Sequence, residues 1–214
     1  MGKLAFLFPG QGAQVVGMGK DFFDAYDLAK KRFAEADEAL GYSISKLCFE
    51  GPADQLQLTE HTQPAILTVS VIAAELLREE GIAPEIAAGH SLGEYSALVL
   101  AGVLSFQDAV ALVHKRGAYM QEAVPVGEGA MAAVIGLDDD TIVAVCAEAS
   151  AAGAVQAVNF NCPGQTVIAG TVKGVEQAVE LLQEKGAKKA VILPVSAPFH
   201  STLMEPAAKK LAAE

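Results

Sequence analysis

The stretch from Pro84 to Gly102, "PEIAAGHSLGEYSALVLAG", decides how this chain is read. Its first six residues form a short apolar run with the character of a buried strand, and the residues after Gly93 continue as a helix. Gly89-His90-Ser91-Leu92-Gly93 therefore stands where a strand turns sharply into a helix, the setting in which Gly-x-Ser-x-Gly exposes a nucleophilic serine. A serine hydroxyl is a weak nucleophile until it is aimed clear of its neighbours and given a base, and this turn supplies the aim. Gly89 and Gly93 relieve the crowding, while the Leu92 amide, at the helix start, points toward a developing oxyanion. The same residues also describe a plain turn with a helix-capping serine, so the surrounding chain has to choose between the two.

Working outward, "KLAFLF" (3–8) is an apolar run stopped by Pro9-Gly10, the form of a buried parallel strand ending in a loop. Residues 27–40 and 61–80 carry apolar positions at helical spacing and close at Gly41 and Gly81; 105–123 forms a further helix. From residue 127 the texture changes. "GAMAAVIGL" reads as a strand and "DDDTIVAVCAEAS" as a helix with acids at its start. "AVQAVNFNCPGQTVIAG" reads as two strands around Pro163-Gly164, "TVKGVEQAVELLQEKG" as an amphipathic helix and "KKAVILPV" as a last strand. The expected fold is α/β: a hydrolase-like core with a mostly parallel sheet over 1–126 and 196–214, into which a ferredoxin-like βαββαβ subdomain, 127–195, is inserted. The final "FHSTLMEPAAKKLAAE" begins a helix with no glycine to cap it.

Composition narrows the class. Fifteen Lys and Arg against 26 Asp and Glu give a net charge of −11, which argues against a nucleic acid or an anionic membrane as the main partner. Cys48, Cys146 and Cys162 are odd in number and form no C-x-x-C pair, as expected of a reducing compartment with neither disulfides nor a thiolate metal site. The run "LAFLF" before Pro9 is too short for a signal peptide or a membrane span, and Phe6 stands where myristoylation of Gly2 would want Ser or Thr. A soluble, cytoplasmic protein is expected.

Several residues could complete a site around Ser91. In "PGQGAQ" (9–14), Gly10-x-Gly12 follows a strand, but Val15 fails the dinucleotide fingerprint; Gln11 N–H is instead a candidate second oxyanion donor. A base must be a histidine. His90 adjoins Ser91 on the turn and should point away, and His61 and His114 lie in helices of mixed polarity where a packed or solvated ring is the plainer reading. His200, in "VSAPFHS", falls on a loop at the end of a strand, the edge where catalytic groups gather in α/β folds. No acid in a suitable loop lies between Ser91 and His200: Asp138, Asp139 and Asp140 look like one helix start and Asp108 like another, so the acid of a hydrolase triad is not evident. Arg116 lies on a largely apolar helix, where a buried guanidinium would want an anionic partner and a surface one would not.

"FPGQGAQ", "QPAIL", "GHSLGEYSAL", "VHKRGAYMQ", "GAMAAVIGL", "VNFNCPGQTVIAG" and "PVSAPFHS" follow one another from end to end in the order and spacing of one family, and the chain resembles the malonyl-CoA:acyl-carrier-protein transacylases of fatty-acid synthesis. The resemblance implies ping-pong transfer of malonyl from CoA to the phosphopantetheine thiol of acyl carrier protein, with Ser91 as nucleophile and His200 as base. It implies oxyanion donors at Gln11 and Leu92, Arg116 gripping the free malonyl carboxylate, Gln63 near the pocket, and Phe199, before the histidine, crowding an α-methyl. No cofactor or metal is implied, and the full-length protein is expected to be a monomer. Family members extend further at the carboxyl end. The segment beyond Glu214 is expected to add the last strand and helices and a backbone carbonyl orienting His200, so that part of the core should be exposed without it. A serine thioesterase or esterase, and an inactive fragment needing a complementing segment, remain the alternatives. For the acidic carrier protein, Lys185, Lys188 and Lys189 are the candidate docking charges.

Overall fold

A computed structural model describes residues 3–125, 127–195 and 197–214. Gly2, and the expected domain boundaries at Val126 and Ser196, lie outside the described residues. The chain divides into two compact units, Met1–Ala118 and Tyr119–Glu214.

In the first unit, strand β1 (Ala5–Phe8) pairs in parallel with β2 (Ile86–Gly89), in a register running from Ala5 opposite Ile86 to Phe8 opposite Gly89. Between them come α1 (Lys20–Ala25), α2 (Asp27–Leu40), α3 (Ile44–Glu50), α4 (Ala53–Leu56) and α5 (Thr59–Glu79). Then follow α6 (Gly93–Leu100) and α7 (Phe106–Ala123). The middle of α5 is apolar on nearly every side, as suits a helix surrounded by others. Ile66, Leu67, Val71 and Ile72 are buried there with Phe33 of α2, Ile44 of α3 and Val110 and Val113 of α7. Edge-on packing of Phe33 with Phe23 and Phe49, at 6.0 and 4.8 Å between ring centres, closes one end of this core. The long helices match the sequence expectation, including the left-handed Gly41 that ends α2. The short α1, α3 and α4 have too few turns to show a period and were not expected.

The first strand differs from its expected burial. Leu7 is 78% exposed, and Leu4 and Ile86 are also exposed. Among the described residues β1 pairs with β2 alone, so the apolar run that would suit a strand covered on both faces keeps one edge in the open.

The second unit holds β3 (Gly129–Ile135), α8 (Asp139–Ala149), β4 (Val155–Cys162), β5 (Gln165–Thr171), α9 (Val172–Glu184) and β6 (Lys189–Ile192). The sheet order is β4-β5-β3-β6 with every pair antiparallel, the arrangement of a ferredoxin-like βαββαβ unit. Alternation along the strands divides two cores. Ala132, Val134 and Ile168 are buried with Ile142 of α8 and Leu182 of α9, whereas Met131, Val167 and Ala169 join Met120, Phe199, Met204 and Ala207. Asp138 caps α8 by accepting from Thr141 N–H at 2.9 Å, as the acids at that point imply. A 3-10 turn (Thr202–Met204) leads into α10 (Glu205–Leu211). Contacts thus group 119–125 and 197–214 with the ferredoxin-like sheet, because Met120, Phe199, Met204 and Ala207 cover its second face.

Candidate active site

Ser91 sits on the turn between β2 and α6 with φ +52, a left-handed conformation that non-glycine residues adopt at a cost of about 1–3 kcal/mol. Such strain persists only where the surroundings impose it. Here they do: a Cβ on Gly89 would lie 1.9 Å from the Gly93 carbonyl carbon, and one on Gly93 would lie 2.2 Å from the Phe8 carbonyl oxygen. The end of β2, the end of β1 and the start of α6 therefore meet with no room for side chains, and the serine is thrust out of the turn. Leu92, buried, is the N-cap of α6, so its amide belongs to the electropositive end of that helix. A Cβ on Gly10 would lie 2.5 Å from the His90 carbonyl oxygen and 2.9 Å from His90 Nδ1. The "PGQGAQ" loop is thus seated against the serine turn, and the His90 ring is directed to that loop. Gln11 follows Gly10, and its side-chain amide donates to Thr59 Oγ1 at 3.4 Å.

Arg116, half-buried on α7, brings a cation to the serine. Its Nη2 donates to Ser91 Oγ at 3.3 Å and its Nη1 to Gln63 Oε1 at 2.8 Å, while the guanidinium carbon lies 5.5 Å from the centre of the Tyr95 ring. Gln63 is only 1% exposed, so its oxygen is a fixed acceptor rather than a mobile one. Burial pushes the Arg116 pKa below its ordinary value, with Tyr95 and Glu94 acting in the opposite direction. An arginine so placed stays charged at neutral pH and favours an anion beside the serine.

Ser91, Leu92, Gln11, Gln63 and Arg116 all belong to the first unit; Phe199 and His200 belong to the second. His200 is exposed and carries the other positive φ found at a non-glycine residue among the described ones, +63. Phe199 is buried in the apolar cluster with Met120 and Met131. Sequence reasoning missed Tyr95 and Thr59; Tyr95 lies four residues after Ser91, one turn along α6, a spacing that could have singled it out.

Close glycine packing, a strained serine and an arginine within hydrogen-bond reach of it define the class: an α/β protein with a serine on a sharp strand-to-helix turn and a cation beside its hydroxyl. The family described as "Acyl transferase domain" matches residues 5–214, and the chain belongs to it. It is 57% identical over 212 residues to the malonyl CoA-acyl carrier protein transacylase of Bacillus subtilis, covering 99% of this chain and 67% of that one. The acyl-carrier-protein S-malonyltransferase of Burkholderia pseudomallei superposes with a TM-score of 0.94 at 57% identity, over 98% of this chain and 68% of that one. A type II PKS acyl-carrier protein in complex with its malonyl-transacylase gives 0.96 at 49% identity, over 99% and 69%. No helix of the described residues is long and apolar enough to cross a membrane.

Proposed function

We propose that the chain transfers a malonyl group from malonyl-CoA to the phosphopantetheine thiol of acyl carrier protein, in fatty-acid biosynthesis. The observation that carries the reading is the Arg116 guanidinium, held by Gln63 and 3.3 Å from Ser91 Oγ. A thioester carrying a second, free carboxylate can pair with that cation while its carbonyl carbon meets the serine. A substrate without the carboxylate leaves the cation uncompensated.

In the first half-reaction Ser91 Oγ attacks the thioester carbon as the His200 imidazole accepts its proton. The carbon–sulfur bond breaks, and CoA leaves as a thiol with the proton returned by the imidazolium. In the second, the carrier thiol gives its proton to His200 and attacks the malonyl ester, and Ser91 recovers its hydrogen. In both, the oxyanion is received by the amides of Gln11 and Leu92, each worth about 3–4 kcal/mol of transition-state stabilisation. Phe199 is assigned to exclusion of an α-methyl, and no cofactor is required. Lys185, Lys188 and Lys189, all exposed, are the charges offered to the acidic carrier. The protein is assigned to the cytoplasm, as a monomer when full length.

Intact-mass measurement after incubation with malonyl-CoA tests the reading. It expects one malonyl group per chain, on the Ser91 peptide and absent from Ser91→Ala, and discharged by a carrier thiol. An adduct of equal yield on Ser91→Ala would overturn the nucleophile.

A further inference from the structure

The first turn of α5 is held at three points. Thr59 accepts from the Gln11 side chain, Gln63 accepts from Arg116, and between them the Glu60 carbonyl accepts from Nδ1 of His114 at 2.9 Å. The middle contact has a cause in the sequence. Pro64 lies inside α5 and has no N–H, so the carbonyl four residues before it, that of Glu60, lacks its helical donor. His114, reaching across from α7, supplies one, and because its partner is a carbonyl the proton must reside on Nδ1. One turn along α7, Gly117 closes on the same place: a Cβ there would be 2.6 Å from both Glu60 Cα and the Thr59 carbonyl oxygen. Arg116 stands between these two anchors. A helix pinned at 114 and 117 cannot slide along α5 without losing the hydrogen bond or opening the close backbone contact, and that register sets Arg116 against Gln63.

We propose that His114 is a positioning residue for carboxylate recognition, its Nδ1–H on the carbonyl freed by Pro64 fixing the register that aims Arg116 at the acyl substrate. The inference rests on the malonyl reading of Arg116. Because that pairing is made in the ground state as well as in the transition state, its loss raises KM more than it lowers kcat, and only for substrates carrying the carboxylate.

The test is acyl loading and transfer from malonyl-CoA and acetyl-CoA by the protein and its His114→Ala, His114→Asn and His114→Gln variants. Asparagine places an amide N–H where Nδ1 stands; glutamine extends past it. We expect His114→Ala to raise KM for malonyl-CoA about 5- to 10-fold, with kcat within about twofold and the malonyl-to-acetyl preference falling in proportion. Asparagine should restore the preference and glutamine should not. An unchanged preference in His114→Ala, or equal behaviour of the asparagine and glutamine variants, overturns the proposal. Should the alanine variant not fold, the asparagine–glutamine pair decides alone. Failure of the parent protein to load malonyl onto Ser91 would refute the functional reading; normal Arg116-dependent loading with no His114 effect would refute this inference only.

Discussion

Truncating Arg116 to alanine removes the cation from the serine and should reorder the substrates. On the proposed reading a malonyl carboxylate would meet a guanidinium already oriented by Gln63, so little side-chain freedom would be lost on binding. Hydrogen bonds to charged groups contribute about 1.5–3 kcal/mol each, and the half-exposed position of Arg116 argues for the lower part of a paired sum, about 3 kcal/mol. At 1.36 kcal/mol per tenfold this is about a hundredfold in kcat/KM for malonyl-CoA. Acetyl-CoA offers nothing to the guanidinium and should change by no more than about threefold, so the preference between the two collapses by one to two orders of magnitude. The assay is release of free CoA thiol with each substrate and a saturating carrier thiol, with circular dichroism to establish that the variant is folded. A folded Arg116→Ala protein whose malonyl-to-acetyl preference stays within about twofold of the parent would refute the carboxylate role.

Other perturbations follow from the packing. Gly93→Ala sets a methyl group 2.2 Å from the Phe8 carbonyl oxygen and should cost about 3 kcal/mol, read as a fall in Tm of about 6–12 °C together with lost Ser91 loading. Arg32 donates to Glu75 at 2.7 and 2.5 Å and lies 5.0 Å from the centre of the Phe106 ring; Arg32→Met should lower stability in urea by about 1–2 kcal/mol without altering substrate preference. Burial pushes the Cys48 thiol up to about 12 and the Cys146 thiol up to about 11, so at pH 8 both stay protonated. A thiol reagent should accordingly find one fast-reacting cysteine, the exposed Cys162, and two more only after unfolding.

The parts of this protein most legible in the sequence were those with a repeating signal or a steric demand. Valine and leucine at i, i+3 and i+4 mark α9, Pro163-Gly164 marks the turn between β4 and β5, and two glycines flanking Ser91 mark the elbow whose close contacts require them. Arg116 could be named from the sequence but not understood there. Its meaning depends on Gln63, 53 residues away, and on a helix crossing that no local pattern encodes. His114 illustrates the point more sharply. In the sequence it is one histidine in a helix of mixed polarity, and only the fold shows its ring bonded to the carbonyl left open by Pro64 and packed 5.7 Å from the Tyr42 ring. The exposure of Leu7 is likewise a matter of what covers its face of the sheet, which the run "KLAFLF" cannot state.

Transfer to a thiol rather than to water is the centre of the account, and release of CoA in the absence of any acceptor tests it most directly. Mixed with excess malonyl-CoA alone, the protein should release about one equivalent of CoA per Ser91 in a burst and then nearly stop, resuming only when phosphopantetheinylated carrier protein is added. Steady release of CoA and free malonate without an acceptor, at a rate that the carrier does not raise, would contradict it and identify a hydrolase.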